Sequence, residues 1–485
     1  MINEEPRVRF APSPTGYLHV GGLRTALYNY LFAKNNNGKF ILRIEDTDRK
    51  RYVEGAVENL ISTLKWCGLD YDEGPDKPGN YGPYMQSERL DIYKKYADEL
   101  IQQKKAYYCF CSPERLEELK KEQEKNKSQK MYDKHCLHLS PEEVKTKLAA
   151  GEPYVIRLNV IHDQSVIVDD VIKGRVEFNT NTVDDQVLLK SDGYPTYHLA
   201  NVIDDHMMKI THVIRGDEWL PSTPKHVLLY DYFDWEKPVF AHLPLLLNPD
   251  RTKLSKRQGD VAVEDYRAKG FLKEALVNFV ALLGWTAGDD QEFYYLDELV
   301  KKFTLERVNK SGAVFDIQKL NWLNGEHLRK KDDKELVGLL KEELEKSKYN
   351  VNDFTDEYLM KVIVAMKERI VFMHELLEKA PYFFEAPETY DESVISKRWK
   401  PESTTYLIKL KEKYEQLDNP QKKDYENALK ILAEEMNVGA GNFIHPLRLA
   451  LSGVGGGPGV YDIAYIIGKD ESIKRISKAI EKIKI

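Results

Sequence analysis

The chain has 485 residues, of which 42% are hydrophobic and 31% charged, as in a soluble protein of two to four domains. Its net charge of −7 is unlike that of a non-specific nucleic-acid binder, so any nucleic acid must meet local basic surfaces. No apolar run approaches the ~20 residues that span a bilayer, and the first residues lack the features of a signal peptide. We therefore expect a cytoplasmic protein without a membrane partner.

The first segment of the chain alternates between strand-like and helix-like patterns. Residues 7–11 predict a short strand, and apolar residues at helical spacing between 23 and 31 predict the helix that follows. A second strand is predicted over 40–44, ending at Glu45, and a second helix over 53–68. This order predicts a Rossmann-type α/β domain built on a parallel sheet.

Four later segments differ in pattern, and together they predict a multidomain protein. Residues 109–190 contain a cysteine and histidine cluster and short strand-like runs, which predicts an α+β insertion. The insertion would separate 1–108 from 191–250, the two halves of the α/β domain. Residues 251–330 follow as another domain, and the charged, amphipathic residues 331–485 predict an all-helical C-terminal half.

The predicted turn between the first strand and the first helix contains prolines and glycines, in the order APSPTGYLHVGG over residues 11–22. Glycine lets the backbone approach a ligand closely, and a helix start offers free N–H groups and a positive dipole end. His19 is placed to donate to a phosphate. These features suit a nucleotide site. The spacing alone is explained equally well by an ordinary proline-rich turn, so both interpretations stay open at this point.

A second candidate phosphate site is the basic run KLSKR at residues 253–257, which follows an apolar segment. Its cations suit the negative charge that develops when ATP is attacked at the α-phosphate. Taken alone, the run is better explained as a solvated basic loop.

The four cysteines are too few for a disulfide scaffold in a chain of this length. Three of them combine with a histidine in paired C-x-C and C-x-H spacings, formed by Cys109, Cys111, Cys136 and His138. Three thiols and an imidazole are a standard set for tetrahedral zinc, which would be structural because protein fills every position. The alternative is buried or free cysteines. Cys67 lies on the apolar face of its predicted helix and is expected in the core.

Together, the turn at 11–22 and the KLSKR run resemble the two signature motifs of class I aminoacyl-tRNA synthetases, usually HIGH and KMSKS. This chain has HVGG from His19, so the second signature histidine is absent, a departure that is familiar in the glutamyl branch. Further segments resemble bacterial glutamyl-tRNA synthetases: RFAPSPTG from Arg9, RIEDTD from Arg43, SDGYPTYHLAN from Ser191 and IRGDEW from Ile214. The resemblance is near-continuous from about residue 7 to 325 and thinner afterwards.

The resemblance implies that ATP and L-glutamate give glutamyl-adenylate and that the glutamyl group is then ligated to the 3′ end of tRNA(Glu). It implies a glutamate pocket made of Arg9, Ser13, Glu45, Tyr197, Asn201 and Arg215. The two arginines would bind the carboxylates, because their planar forks match carboxylate oxygens, and Glu45 would hold the ammonium group. Tyr197 and Asn201 are four residues apart, so a helix would present them on one face.

The resemblance also implies an ATP site made of His19, Gly21, Glu218, Lys253, Ser255 and Lys256. His19 and Lys256 would be the catalytic residues, acting on the phosphates, and Glu218 would lie near the ribose. Mg²⁺ is expected with ATP, and one zinc ion with the cysteine cluster. Residues 109–190 would bind the acceptor end of the tRNA, 251–330 its stem and 331–485 its anticodon, in a monomeric enzyme.

Three alternatives stand beside this interpretation. A glutaminyl-tRNA synthetase would usually have PPEPNG at residues 11–16 and C-terminal β-barrels. The truncated glutamyl-queuosine enzyme lacks an anticodon-binding half, whereas this chain continues well past residue 330. The third alternative is a catalytically inactive tRNA-binding paralogue, which the presence of His19, Lys256 and the pocket residues disfavours.

Overall fold

The computed structural model describes residues 5–254 and 262–484. Ser255 and Lys256 of the predicted ATP site therefore lie outside the described residues. The chain forms two compact units: the first comprises residues up to 269 together with 273–317, and the second comprises 270–272 and the residues from 318 onward.

The strands of the described chain all fall in the first unit. They are β1 (Arg7–Phe10), β2 (Lys39–Leu42), β3 (Ala106–Cys109), β4 (Val155–Leu158), β5 (Ser165–Asp170), β6 (Gly174–Asn179), β7 (Val187–Leu189), β8 (His212–Gly216), β9 (Val239–Leu243), β10 (Leu246–Leu247) and β11 (Ala313–Val314).

The helices fall in both units. Those that precede residue 317 are α1 (Val20–Asn35), α2 (Ala56–Trp66), α3 (Leu90–Gln102), α4 (Pro113–Lys125), α5 (Pro141–Ala149), α6 (Tyr197–Met207), α7 (Thr223–Tyr232), α8 (Val263–Ala268), α9 (Lys273–Ala281) and α10 (Leu296–Lys302). They are followed by α11 (Ile317–Lys330), α12 (Asp333–Glu345), α13 (Asp356–Met366), α14 (Glu375–Lys379), α15 (Glu392–Arg398), α16 (Ser403–Glu415), α17 (Lys422–Glu435), α18 (Gly441–Ser452), α19 (Val460–Ile467) and α20 (Lys469–Lys482).

Parallel strands organise the first unit, as the sequence predicted. Strand β1 pairs in parallel with β2, and β9 pairs in parallel with both β8 and β5. The two groups meet where the backbone N–H of Thr211 donates to the carbonyl of Arg7 at 2.9 Å. Because parallel strands end on the same edge, Arg9, Glu45 and Arg215 come to one side of the sheet, where open α/β sheets bind ligands.

One predicted element differs from the structure at its start. The helix predicted from residue 53 begins at Ala56, because Gly55 takes a left-handed conformation with φ +78° at its N-cap. Val53 therefore lies before the helix, and its side chain is 45% exposed. Cys67 is buried, as expected from its position on the apolar face.

Residues 109–190 contribute to two sheets. Strands β3, β4 and β7 form a separate antiparallel sheet, which fits an α+β insertion. Strands β5 and β6, however, extend the sheet of β8 and β9, with Asp170 in register with Phe240. Part of the segment assigned to the insertion is therefore built into the main sheet.

The second unit is helical in its described residues, which confirms the predicted all-helical half. Within the amphipathic stretch 332–348, Asp333–Glu345 form α12, whose buried Leu336, Leu340 and Leu344 repeat every four residues along one face. The stretch 355–380 is divided into α13 and α14. Between 5–254 and 262–484, no helix has both the length and the apolar character that crossing a membrane requires.

Candidate active site

A cavity of about 1080 Å³ opens at the carboxyl edge of the parallel strands. Its wall brings together most of the residues that the sequence singled out for the two small substrates: Arg9, Ser13, His19, Gly21, Glu45, Tyr197, Arg215, Glu218 and Lys253. These residues come from β1 and β8, from the first residues of α1 and α6, and from the loops beside them. The fold therefore collects predicted glutamate and ATP residues in one space.

His19 caps the start of α1 beside the cavity. Its Nδ1 accepts a hydrogen bond from the backbone N–H of Gly21 at 3.3 Å, so the neutral ring carries its proton on Nε2. A Cβ at Gly21 would come within 3.3 Å of the His19 ring. At Gly22, where the signature has its second histidine, a Cβ would lie 2.8 Å from Leu18 Cδ1. A side chain at residue 22 thus requires Leu18 to move.

Arg9 is held at the cavity by the buried carboxylate of Asp205. Asp205 accepts from Arg9 Nε at 3.0 Å and from Arg43 Nη1 at 2.7 Å. Burial alone would raise the pKa of Asp205, but the charges of Arg9 and Arg43 outweigh it and hold that pKa below its usual value. This cluster therefore keeps both arginines charged and oriented, with their charges largely balanced.

Glu45 belongs to the same cluster and also faces the cavity. Its Oε1 accepts from Arg43 Nη2 at 3.0 Å. Burial raises the pKa of Glu45 to about 7, against the opposing attraction of Arg43 and Arg9. The carboxyl thus changes charge near neutral pH and is placed to receive a cationic group.

Asn201 and Tyr197 lie on the same face of α6, as predicted, but at different depths. Tyr197 reaches the cavity wall, whereas Asn201 lies behind Arg9 and accepts from it at 3.2 Å. Asp205 is the next residue in this four-residue spacing. Extending the spacing by one step would have found this carboxylate, which the sequence analysis missed.

Arg215 faces the cavity from the other side and is held without a carboxylate among the described residues. Its N–H groups point to Tyr197 Oη at 3.0 Å, Thr223 Oγ1 at 3.0 Å, His242 Nε2 at 3.1 Å and His226 Nδ1 at 3.1 Å. The sequence analysis missed both histidines, because neither lies within a quoted motif.

The predicted ATP residues are described only in part. Glu218 folds back over Gly216, where a Cβ would overlap the Glu218 carboxylate, so a side chain at residue 216 would displace the Glu218 side chain. Lys253 lies on the cavity wall beside Leu254.

The cysteine cluster lies outside this cavity. The sulfur atoms of Cys109, Cys111 and Cys136 all lie within 4.8 Å of one another, and His138 does not join this group. The hydroxyl of Tyr132 lies 3.4 Å from Cys109 Sγ and 3.2 Å from Cys111 Sγ. Thiolates bound at ~2.3 Å to a tetrahedral zinc stand about 3.8 Å apart, and the 3.6 Å between Cys111 and Cys136 sulfurs fits this spacing.

Comparison with known proteins agrees with this geometry. The profile of the family described as class I tRNA synthetases (E and Q), catalytic domain, matches residues 5–322, and an anticodon-binding domain profile matches 335–480. The chain therefore belongs to the class I tRNA synthetases, in the branch that serves glutamate and glutamine.

The individual proteins to which the chain is similar are named as ligases for glutamate. The chain is similar to the glutamate–tRNA ligase of Chloroherpeton thalassium, with 54% identity over all of this chain and 99% of the relative. The glutamate–tRNA ligase of Chlorobium phaeobacteroides is 51% identical over the same shares. Among solved structures, a glutamate tRNA ligase from Elizabethkingia meningosepticum in complex with its amino acid is 43% identical, with TM-score 0.94 over 99% of this chain and all of that chain.

Proposed function

We propose that the chain is a glutamate–tRNA ligase, which activates L-glutamate with ATP and transfers it to the 3′ end of tRNA(Glu). The observation that carries this proposal is one cavity in which two arginines and one glutamate face each other from neighbouring strand ends. L-Glutamate carries two carboxylates and one ammonium group, which this set complements. Full-length relatives with this name support the assignment.

Glutamate would bind with Arg9 and Arg215 on its carboxylates and Glu45 on its ammonium group. Tyr197 would orient the substrate beside Arg215, Ser13 would line the wall, and Asn201 would support Arg9 from behind. Since arginine binds carboxylates through a planar fork, these contacts fix direction as well as charge.

ATP would bind at the start of α1, with Gly21 allowing close approach and the Nε2 proton of His19 directed to a phosphate. Glu218 would lie by the ribose, and Lys253, Ser255 and Lys256 would stabilise phosphate charge. A carboxylate oxygen of glutamate attacks the α-phosphorus and pyrophosphate leaves; the 2′-hydroxyl of the terminal adenosine then attacks the acyl carbon and AMP leaves. Mg²⁺ would neutralise phosphate charge. Catalysis would come mostly from positioning and charge stabilisation.

Aminoacylation of bacterial tRNA with labelled glutamate or glutamine tests this function. We expect charging with glutamate, together with pyrophosphate exchange that requires tRNA. Charging with glutamine would overturn the substrate. The absence of exchange under every condition would indicate a non-catalytic tRNA-binding protein.

We propose that three regions of the chain bind different parts of the tRNA. Residues 109–190 would receive the acceptor end, residues 251–330 the stem and residues 331–485 the anticodon. The monomeric state is a prediction from the family resemblance, and light scattering on the purified enzyme would test it. The cytoplasmic location is a prediction from the sequence alone.

We also propose that the cysteine cluster holds one structural zinc ion, with the hydroxyl of Tyr132 beside it as the fourth ligand instead of His138. The spacing of the sulfur and oxygen atoms supports this choice. Metal analysis of the freshly purified protein should find one zinc per chain. Tyr132→Phe should lose zinc to a chelator faster than the wild type, while His138→Ala should not; the reverse result would restore His138 as the ligand.

A further inference from the structure

Arg215 is buried at the end of β8, and the groups that accept its hydrogen bonds are neutral. Its Nε donates to His242 Nε2 at 3.1 Å, and its Nη2 points to His226 Nδ1 at 3.1 Å. The remaining partners are the hydroxyls of Thr223 and Tyr197, both at 3.0 Å. Guanidinium groups have donors only, so each of these partners must offer a lone pair.

The lone pair on His242 is fixed by Asp170. His242 Nδ1 lies 2.6 Å from Asp170 Oδ2, so the ring proton is on Nδ1 and Nε2 is left to accept from Arg215. Asp170 is itself held by the backbone N–H groups of Ile172 at 2.9 Å and Lys173 at 2.8 Å. Arg215 and His242 are also direct cross-strand neighbours between β8 and β9.

The lone pair on His226 is fixed from α6. His226 Nε2 lies 3.0 Å from His198 Nδ1, so the His226 proton on Nε2 donates to His198 while Nδ1 faces Arg215. Burial holds the pKa of His226 well below its usual value, and burial lowers that of His198 to about 3. Both rings therefore stay neutral at physiological pH.

We propose that His226 and His242 are positioning residues that hold Arg215 through lone pairs, leave it without a carboxylate in direct contact, and thereby favour a substrate carboxylate over a carboxamide. This inference rests on the proposed function, because it takes Arg215 as a glutamate contact. A glutamine side chain would leave the buried guanidinium without a counter-charge, which is costly in a desolvated site. Arg9 differs, because it is in direct contact with the Asp205 carboxylate, which it shares with Arg43.

The test uses two substitutions of matched shape at His226. Asparagine can keep an acceptor in place of Nδ1, and aspartate has the same shape with a negative charge. We expect His226→Asp to lower the preference for glutamate over glutamine, measured as the ratio of kcat/KM values, at least tenfold more than His226→Asn. The KM for ATP should stay the same in both variants. Equal effects of the two variants, or an unchanged preference in both, would overturn the proposal.

A second pair keeps the proposal testable if His226→Asp fails to fold. His242→Gln retains an acceptor near the position of Nε2, whereas His242→Leu removes it. We expect His242→Leu to raise the KM for glutamate at least tenfold and His242→Gln to raise it by much less, with kcat and the KM for ATP nearly constant. Parallel losses in glutamate and ATP kinetics would indicate a merely structural role and contradict the proposal.

Two further arms separate this inference from the proposed function. His206 lies on α6 and stacks on Trp235 at 3.8 Å, away from Arg215, so His206→Asn should leave the preference unchanged. If the wild type fails to charge glutamate, the proposed function falls. If the wild type charges glutamate and His226→Asp and His226→Asn change the preference equally, only the positioning role of His226 is contradicted.

Discussion

Arg9 and Arg215 reach the same cavity from strands β1 and β8, yet their buried partners differ in charge. Arg9 is paired with Asp205 at 3.0 Å, whereas Arg215 meets imidazole and hydroxyl lone pairs. A guanidinium that a carboxylate has balanced is well oriented but gains less from a second anion. On the proposal made above, Arg9 would serve mainly to orient the substrate, and Arg215 would select for the charge of the substrate.

The largest expected effect comes from breaking the Arg9 side at its carboxylate. Asp205→Ala leaves Arg9 and Arg43 buried with less counter-charge, so the free energy of unfolding should fall by about 3–5 kcal/mol. Denaturant unfolding measures it. Asp48→Asn, which removes an exposed ion pair with Arg51, should change stability by less than about 1 kcal/mol. Similar losses in the two variants would contradict the role of the buried cluster.

Removing the guanidinium from the Arg215 side should act on the substrate. Arg215→Ala removes hydrogen bonds to a charged partner worth about 1.5–3 kcal/mol, so kcat/KM for glutamate should fall roughly 10- to 150-fold. Unfolding should be affected less than by Asp205→Ala, because no buried carboxylate is left unpaired. Arg9→Ala should also raise the KM for glutamate. Unchanged glutamate kinetics in either variant would remove that arginine from the pocket.

The pH dependence of glutamate binding tests Glu45 and not the histidines around Arg215. The carboxyl is ionised above its pKa of about 7 and neutral below it, so its attraction for the ammonium group is lost as pH falls. The KM for glutamate should rise roughly tenfold from pH 8 to pH 6. Glu45→Gln should give a high KM with a flat profile, and a wild-type profile that is flat over this range would exclude Glu45 as the titrating group.

The smallest expected effect tests one hydroxyl on the Arg215 side. Tyr197→Phe removes an acceptor 3.0 Å from Arg215 Nη1 and preserves the ring. A single hydrogen bond is worth about 0.5–1.5 kcal/mol, so the KM for glutamate should rise roughly two- to tenfold. Ser13→Ala, on an exposed part of the wall, offers a comparison and should change the KM less.

The sequence predicted the parallel-sheet domain and the helical half because both depend on local periodicity. It also predicted most of the residues that line the cavity, since these stand in contiguous motifs. His226 and His242 were missed because their roles arise from contacts between distant segments, whereas Asp205 could have been found by extending the four-residue spacing of Tyr197 and Asn201. Spacing in the chain likewise pointed to His138, whereas the structure groups Tyr132 with the thiols.

The position of Asp170 limits which segments of this enzyme can be exchanged with those of another enzyme. Asp170 is encoded within the segment 109–190 but lies on β5, in register with β9 of the nucleotide-binding sheet. A chimaera in which only residues 109–164 are replaced would keep the hydrogen-bonded series Asp170–His242–Arg215. A chimaera in which all of residues 109–190 are replaced would also replace Asp170. If Arg215 selects the substrate as proposed, replacing the whole of residues 109–190 should alter amino-acid choice unless the replacement supplies a carboxylate at the position of Asp170.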